Sequence, residues 1–405
     1  MPRIGADALM RLPMRRVVDL RSPSEFAEDH VPGAVNVPLF DDVQRALVGT
    51  LYSQDSPEAA FAEGREIVRA KIRDMVLEIA RLTQWSPNAD DIEARAAEMT
   101  AGGYEHMSAA LMSAAIEPAG AAPVVMHCWR GGLRSRSVIA LVRSLGLEQA
   151  TMLEGGYKGY RAWVNRELGS ATYPRVIVLR GLTGVGKTLV LRAIERLQPG
   201  AVLDLEGLAG HRSSLLGMVG LQPCSQKLFE SRICARIARG FGPVLFVEGE
   251  SRKVGDAIVP NVLWQAMANG VDVQLEATVE RRVDVLCEDY LADAASRAEL
   301  RARLPFVDER LTRAADAPSL VSMLDAGRER ELVALLLERY YDPLYRHSQS
   351  GQVYAARFDA TDPERTARAL LDWAEKLAFE TKETRWPPEK RSIPWSRAEA
   401  PGAFS

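Results

Sequence analysis

The chain has 405 residues, 47% hydrophobic and 26% charged, with 51 basic and 54 acidic residues and a net charge of -3. That length allows two ordinary domains with a large core in each, and the composition is that of a globular chain, not a disordered or fibrous one. No run of about eighteen uninterrupted apolar residues offers a membrane span, so membrane-spanning functions are excluded.

The near-neutral charge neither supports nor excludes a nucleic-acid partner; an RNA binder of this balance needs a local basic patch. Three stretches qualify. One is the run of Arg130, Arg134, Arg136 and Arg143; the others are GREIVRAKIRDMV (64–76) and RWPPEKRSIPWSR (385–397). Each could equally be solvated surface. The N-terminus, MPRIGADALMRLPMRR, places Arg and Pro where a signal peptide needs an apolar run, so a cytoplasmic location is expected. The cysteines are Cys128, Cys224, Cys234 and Cys287. None forms a CxxC pair, so neither a zinc site nor a disulfide framework is expected.

In chain order, VVDLR (17–21) and AVNVP (34–38) read as short strands with Gly/Pro borders. A helical insertion follows over about 41–122, where segments such as EGREIVRAKIRDMVLEIARL repeat apolar residues every three or four positions. PVVMHC (123–128) and TMLEG (151–155) resume the strand pattern. Between them SRSVIALVRSLG predicts a helix stopped by Gly146. ELGSATYP (167–174) reads as a linker between a first domain, 1–168, and a second, 174–380. The second domain opens on RVIVLRG, with AVLDL, VLFVE and VDVQLEA as further strands. After about residue 280 it turns helical, then ends on the strand QVYAARFDA and the helix PERTARALLDWAEKLAFE. Residues 381–405 lack periodicity and read as a mobile tail. Strands alternating with helices make both domains α/β, each with a mainly parallel sheet.

In HCWRGGLRSRS (127–137), Cys128 ends a strand and precedes a helix. Loop N–H groups, the helix N-terminus, Arg130 and Arg134 all favour negative charge there, which lowers a thiol pKa and yields the nucleophilic thiolate. The spacing C-x-x-x-x-x-R leaves two readings open: a Cys-dependent phosphatase, with the Arg gripping phosphate, or a sulfur carrier. Trp129 is a candidate for stacking on a base, or for packing against the loop.

GLTGVGKT (181–188) fits the phosphate-binding loop in full, between a strand and a helix. Gly181, Gly184 and Gly186 let the backbone wrap phosphate, Lys187 reaches a terminal phosphate, and Thr188 would hold magnesium if it binds. VLFVEGES places Glu248 and Glu250 where such a domain usually carries Asp, which argues against ordinary nucleotide hydrolysis. DLEGLAGHRSS (204–214) brings Asp204, Glu206, His211 and Arg212 beyond a strand end, where open α/β sheets bind ligands. Asp204 could instead cap a helix, and His211 could be an ordinary surface residue.

VVDLRSPSEFAEDHVPGAVNVP resembles the N-terminal signature of rhodanese domains, through Asp19, Arg21, Glu25, His30 and Gly33. LEGGYKGYRAW (153–163) is similar to the closing rhodanese segment, and His30 is then expected to hold a turn. The ordered set HCWRGGLRSRS, GLTGVGKT, DLEGLAGHRSS and VEGESRKVG, with LVGTLYSQDSPEAA (47–60) inside the insertion, resembles the tRNA 2-selenouridine synthase family. The stretch HRSSLLG departs from it, with Ser213 where a Gly is expected.

This resemblance implies a transferase acting on the wobble 2-thiouridine of tRNA, with selenophosphate as selenium donor. It further implies a geranylated intermediate made from geranyl diphosphate. Cys128 would carry selenium or attack in its transfer, Arg130 and Arg134 would hold the phosphate end, and the phosphate-binding loop would hold the diphosphate of the geranyl donor. The implied partners are tRNA, through its anticodon region, and selenophosphate synthase; no tightly bound cofactor is expected. Two rivals stay open: a phosphatase fused to a P-loop kinase, and a redox- and nucleotide-sensing binding protein.

Overall fold

A computed structural model describes residues 1–120, 122–249, 251–311, 318–344 and 352–380. The tail at 381–405, with its basic stretch, and Glu250 lie outside the described residues.

The first half is built on a six-stranded sheet. Its strands are β1 (Pro2–Ile4), β2 (Arg16–Asp19), β3 (Val35–Asn36), β4 (Glu117–Pro118), β5 (Val124–His127) and β6 (Ala150–Leu153). Their order is β3-β2-β5-β6-β1-β4, and every pairing is parallel. β1 and β4 escaped the sequence reading because strands of three and two residues are too short to show alternation. Two helices, α1 (Ala6–Arg11) and α2 (Pro23–Glu28), flank β2 in sequence. Ser22 and Glu25 form a capping box on α2, with Pro23 at its first position.

The insertion is helical as expected: α3 (Asp42–Gln54), α4 (Pro57–Arg69), α5 (Ile72–Thr83), α6 (Ile92–Thr100) and α7 (Gly103–Ser113). α6 and α7 rest on α8 (Leu133–Ser144), the helix that follows the cysteine loop. Gly146 does stop α8, with φ of +102°. α9 (Gly156–Ser170) then runs through the first half of the expected linker. Val164 and Leu168 are buried, so packing against the second half of the chain prolongs the helix where composition suggested a loop.

The second half carries β7 (Arg175–Arg180), β8 (Val202–Leu203), β9 (Val244–Glu248), a short antiparallel hairpin of β10 (Lys253–Val254) and β11 (Ala257–Ile258), β12 (Val271–Glu276) and β13 (Ala356–Asp359). The main sheet is parallel throughout, in the order β13-β12-β7-β9-β8. Its helices are α10 (Lys187–Leu197), α11 (Leu205–Ala209), α12 (Gln226–Ala238), α13 (Asn261–Ala268), α14 (Val279–Tyr290), α15 (Ala294–Asp308), α16 (Leu320–Asp325), α17 (Glu329–Leu336) and α18 (Pro363–Glu380). α14 to α17 close over their own cluster around Tyr290, Leu304 and Leu336.

The halves do not keep wholly separate cores. One buried cluster joins Leu9 and Met10 of α1 and Tyr160 and Trp163 of α9 to Phe229 and Ile233 of α12 and Leu263 of α13. The seam is pinned by polar contacts as well. Arg161 donates to the Lys227 carbonyl at 3.1 Å and pairs with Glu230, and Lys227 pairs with Glu28 at 2.6 Å. The expectation of one core per domain is therefore corrected: the apolar faces of α9 and α12 cover each other.

Candidate active site: a cysteine loop and a phosphate cradle

β5 delivers Cys128 to the C-terminal edge of the first sheet, and α8 begins five residues later. The loop between them packs on the start of α9: the N–H groups of Tyr157 and Lys158 donate to the carbonyls of Cys128 and Trp129, both at 2.9 Å. A Cβ on Gly156 would come within 2.6 Å of the Cys128 carbonyl oxygen, which is why the closing segment needs Gly there.

The Cys128 thiol is 2% exposed, and its Sγ lies 3.2 Å from Ser135 Oγ. Burial alone would raise its pKa. The Arg134 charge, the Ser135 hydroxyl and the backbone N–H groups of Arg130 and Ser135 outweigh that and hold it below the usual thiol value. The other three cysteines go the opposite way. Burial pushes Cys224 and Cys287 up, and Cys234 up to about 12. Ser135, absent from the sequence argument though inside the quoted stretch, is the side chain that touches the sulfur.

The rhodanese-like signature is scaffolding. Arg21 is buried, pairs with Asp19 at 2.6 Å, donates to the Asp29 carbonyl at 2.6 Å and sits 3.8 Å from the Tyr157 ring centre. His30 stacks on Phe26 at 4.0 Å, and its Nδ1 lies 2.9 Å from the Phe26 carbonyl oxygen, so it holds a turn as expected.

The anticipated basic run along the loop shrinks. Arg136 is buried and donates to the carbonyls of Gly131 at 3.2 Å and Leu111 at 2.8 Å, tying the loop to the end of α7. Arg143 donates to the carbonyls of Glu148 and Ala150. Both fasten backbone, which leaves Arg130, exposed, and Arg134, half-buried, to meet a ligand. In the insertion stretch Arg73 pairs with Glu93 and Arg65 with Glu66. Trp129 packs on Tyr157 with ring centres 5.1 Å apart, the plainer of its two readings. A cavity of about 1260 Å³ lies over this loop, and Cys128, Trp129, Arg130 and Arg134 form part of its wall.

The second loop follows β7. Gly181, Gly184 and Gly186 all have positive φ, and a Cβ on Gly181 or Gly184 would collide with the carbonyl of Leu275 or Arg282. Lys187 is buried, with Nζ donating to the Gly181 carbonyl at 3.2 Å. Thr188 Oγ1 lies 3.5 Å from Glu206 Oε2, and the Glu206 N–H donates to Glu248 Oε1 at 2.6 Å. Glu248 Oε2 is buried without a hydrogen-bond partner. Burial, then the charges of Asp204 and Glu206, raise the Glu248 pKa well above the usual carboxyl value.

Of the DLEGLAGHRSS group, Glu206 hydrogen-bonds into this cradle and Asp204 acts on Glu248 through its charge. Asp204 caps α11, accepting from the Gly207 N–H at 2.7 Å. Arg212 donates to the Val219 carbonyl at 2.8 Å and lies over the Tyr290 ring at 5.5 Å. His211 packs against Gly217 and Gly255, and burial lowers its pKa. Ser213, where a Gly was expected, keeps an ordinary negative φ. Sequence reasoning missed Arg282, which is buried, donates to the Thr183 carbonyl at 2.8 Å and pairs with Asp342. It props the phosphate loop from behind, across a sequence separation that no local pattern reveals. Among the described residues, no group of three His, Cys, Asp or Glu side chains is placed to hold a metal ion. Nor is any described helix long and apolar enough to cross a membrane.

A cysteine in an anion-favouring loop on one parallel sheet, joined through a shared core to a phosphate-binding loop on another, defines a rhodanese-like unit fused to a P-loop unit. Comparison with known proteins agrees. The rhodanese-like domain family matches residues 6–75, stopping inside the insertion and short of Cys128. The family described as tRNA 2-selenouridine synthase AAA domain matches residues 174–309. A tRNA 2-selenouridine synthase of Chromohalobacter salexigens is 30% identical over 393 residues, covering 91% of this chain and 97% of that protein. One from Cupriavidus pinatubonensis is 32% identical over 387 residues, covering 88% and 93%. The chain belongs to the tRNA 2-selenouridine synthase family.

Proposed function

We propose that this chain is a transferase that replaces the sulfur of wobble 2-thiouridine in tRNA by selenium. Selenophosphate is the selenium donor, and the path runs through an S-geranyl intermediate made from geranyl diphosphate. The observation that carries the reading is Cys128, placed between β5 and α8 with its Sγ 3.2 Å from Ser135 Oγ and six residues before Arg134, in a chain of this family.

Selenium in selenophosphate is at the selenide level. Loading it on Cys128 as a selenylsulfide would need a two-electron oxidant. Attack of the thiolate on phosphorus needs none: an S–P bond forms, the P–Se bond breaks, and selenide leaves with the bonding pair. Selenide then adds at C2 of the S-geranylated base and the geranyl thiolate departs. Water hydrolyses the cysteinyl phosphate and frees the thiol. Arg130 and Arg134 neutralise the phosphate oxygens in that step. The phosphate loop, with Lys187 and Thr188, holds the diphosphate of the geranyl donor; Glu206 and Glu248 are the carboxyls that would face a magnesium ion brought with it. tRNA reaches the loop by its anticodon region, and the enzyme works in the cytoplasm with selenophosphate synthase as supplier.

The test is nucleoside mass spectrometry of tRNA from a deletion strain complemented with wild type, Cys128→Ala or Lys187→Ala. Cys128→Ala is expected to give no selenouridine while the geranylated base accumulates. Lys187→Ala is expected to give neither, and geranylated base in that strain would overturn the division of labour. The Cys128–Arg134 spacing also favours a phosphatase. Hydrolysis of an aryl phosphate, lost in Cys128→Ser and unaccompanied by selenouridine, would replace the first reading with that one.

A further inference from the structure

The insertion helices are amphipathic, yet their apolar faces do not close on one another. α3 has no buried residue although it carries Leu47, Val48 and Leu51, and α4 buries only Ala60 and Gly64. The space left between them and α6, α7 and α8 is the cavity of about 1260 Å³. Val48, Met99, Met107 and Leu141 line it, and Ala96 stands where a closed core would place a larger side chain. Protein interiors are close-packed, so an apolar space larger than a typical ligand pocket is kept open by design of the sequence. Methionines in the wall suit a flexible guest, because an unbranched thioether adapts its shape.

Charged side chains of the insertion, Arg45, Arg65, Glu66, Arg69 and Glu93, also border the space, and each is engaged in an ion pair. At the cysteine-loop end Arg130, Arg134 and the Cys128 thiol form the wall. No residue of the phosphate loop belongs to the wall. A guest with an apolar tail and a polar head therefore has one orientation, tail among the insertion helices and head on the cysteine loop.

We infer that the insertion is a chamber for the apolar chain of the substrate during the step at Cys128. That this chain is the geranyl group of the modified base rests on the function proposed above. In that setting the chamber takes the chain of the S-geranylated base, holds the sulfur beside the cysteine loop, and receives the geranyl thiolate when it departs. The phosphate loop serves the diphosphate donor, and the chamber serves the thioether.

Calorimetry of the full chain with two nucleoside probes, S-geranyl-2-thiouridine and S-methyl-2-thiouridine, tests this. Wild type is expected to prefer the geranyl nucleoside by about tenfold or more, since the longer chain is taken out of water. Val48→Trp and Ala96→Phe fill the space, and each should bring the preference close to one while leaving the thermal unfolding temperature at or above that of wild type. A wild-type preference near one overturns the chamber, as does a preference unchanged in both folded variants. Selenouridine formation by wild type, read separately, keeps the two ideas apart. Selenouridine formed with no chain preference sinks the chamber and leaves the function. Chain preference lost on filling, in an enzyme that makes no selenouridine, sinks the function and leaves the chamber.

Discussion

The two loops are built alike and charged oppositely. Each follows a strand inside a parallel sheet, β5 or β7, and each opens a helix, α8 or α10. The cysteine loop is surrounded by donors: Arg134, the Ser135 hydroxyl and backbone N–H groups. The phosphate loop adds its own lysine but faces Glu206 and the buried Glu248. One site stabilises an anion made in place, the thiolate. In the proposed function the other receives an anion brought to it: three positive-φ glycines and Lys187 lie near Glu248, whose pKa is raised by burial and by the charges of Asp204 and Glu206. On the proposed function the same strand–loop–helix device prepares a nucleophile in one half and a binding site in the other.

The largest test of that contrast is Cys128→Ser. Serine keeps the neighbour at Ser135 but offers no thiolate, so selenouridine formation in tRNA should fall by about a thousandfold or more, with thermal stability unchanged. Activity retained within a few fold would show that the loop is only a binding site and end the comparison. Next in size is Lys187→Ala. Removing one preorganised cation from a phosphate cradle should cost about a hundredfold in activity and weaken binding of inorganic diphosphate, measured by calorimetry. Unchanged diphosphate affinity would show that the second loop does not receive the anion.

Much of this contrast could be read from the residues in order. The glycines of GLTGVGKT, and Arg134 of HCWRGGLRSRS, act within a few positions of the backbone and the thiol they shape, and local action leaves a local pattern. Cys128, Lys187 and the strands β2, β5, β7 and β9 were legible for that reason. What stayed hidden depends on distant pairs. Arg282 supports Thr183 from across the fold, Arg21 binds the closing segment through Tyr157, and α9 and α12 share a core that composition divided between two domains. Arg136 and Arg143 looked like ligand contacts because sequence shows a charge but not the carbonyl it is bonded to. The cavity under the insertion was hidden too: amphipathic spacing says which face is apolar, not whether another face covers it.

A smaller effect separates the two arginines of the cysteine loop. Arg134 acts on the thiol by its charge, whereas Arg130 contributes through its backbone N–H. Arg134→Gln should therefore raise the Cys128 pKa, seen as a shift of the iodoacetamide alkylation curve to higher pH. Arg130→Gln should leave that curve in place. Equal shifts in both variants would mean that the loop works by total charge and not by position.

The smallest effect tests the acidic side of the comparison. Glu248 has a folded-state pKa raised by burial and by Asp204 and Glu206, which face it. A carboxyl raised on folding contributes fully below its unfolded value, and that contribution is lost as pH rises through the folded value. Wild-type stability should therefore decline as pH climbs above the ordinary glutamate range. Glu248→Gln keeps an acceptor for the Glu206 N–H and cannot ionise. Its unfolding temperature should match wild type near about pH 5 and exceed it by a margin that grows towards about pH 9. Parallel curves would place an ionised carboxylate in the folded site and show that Glu248 is not held neutral beside the phosphate loop.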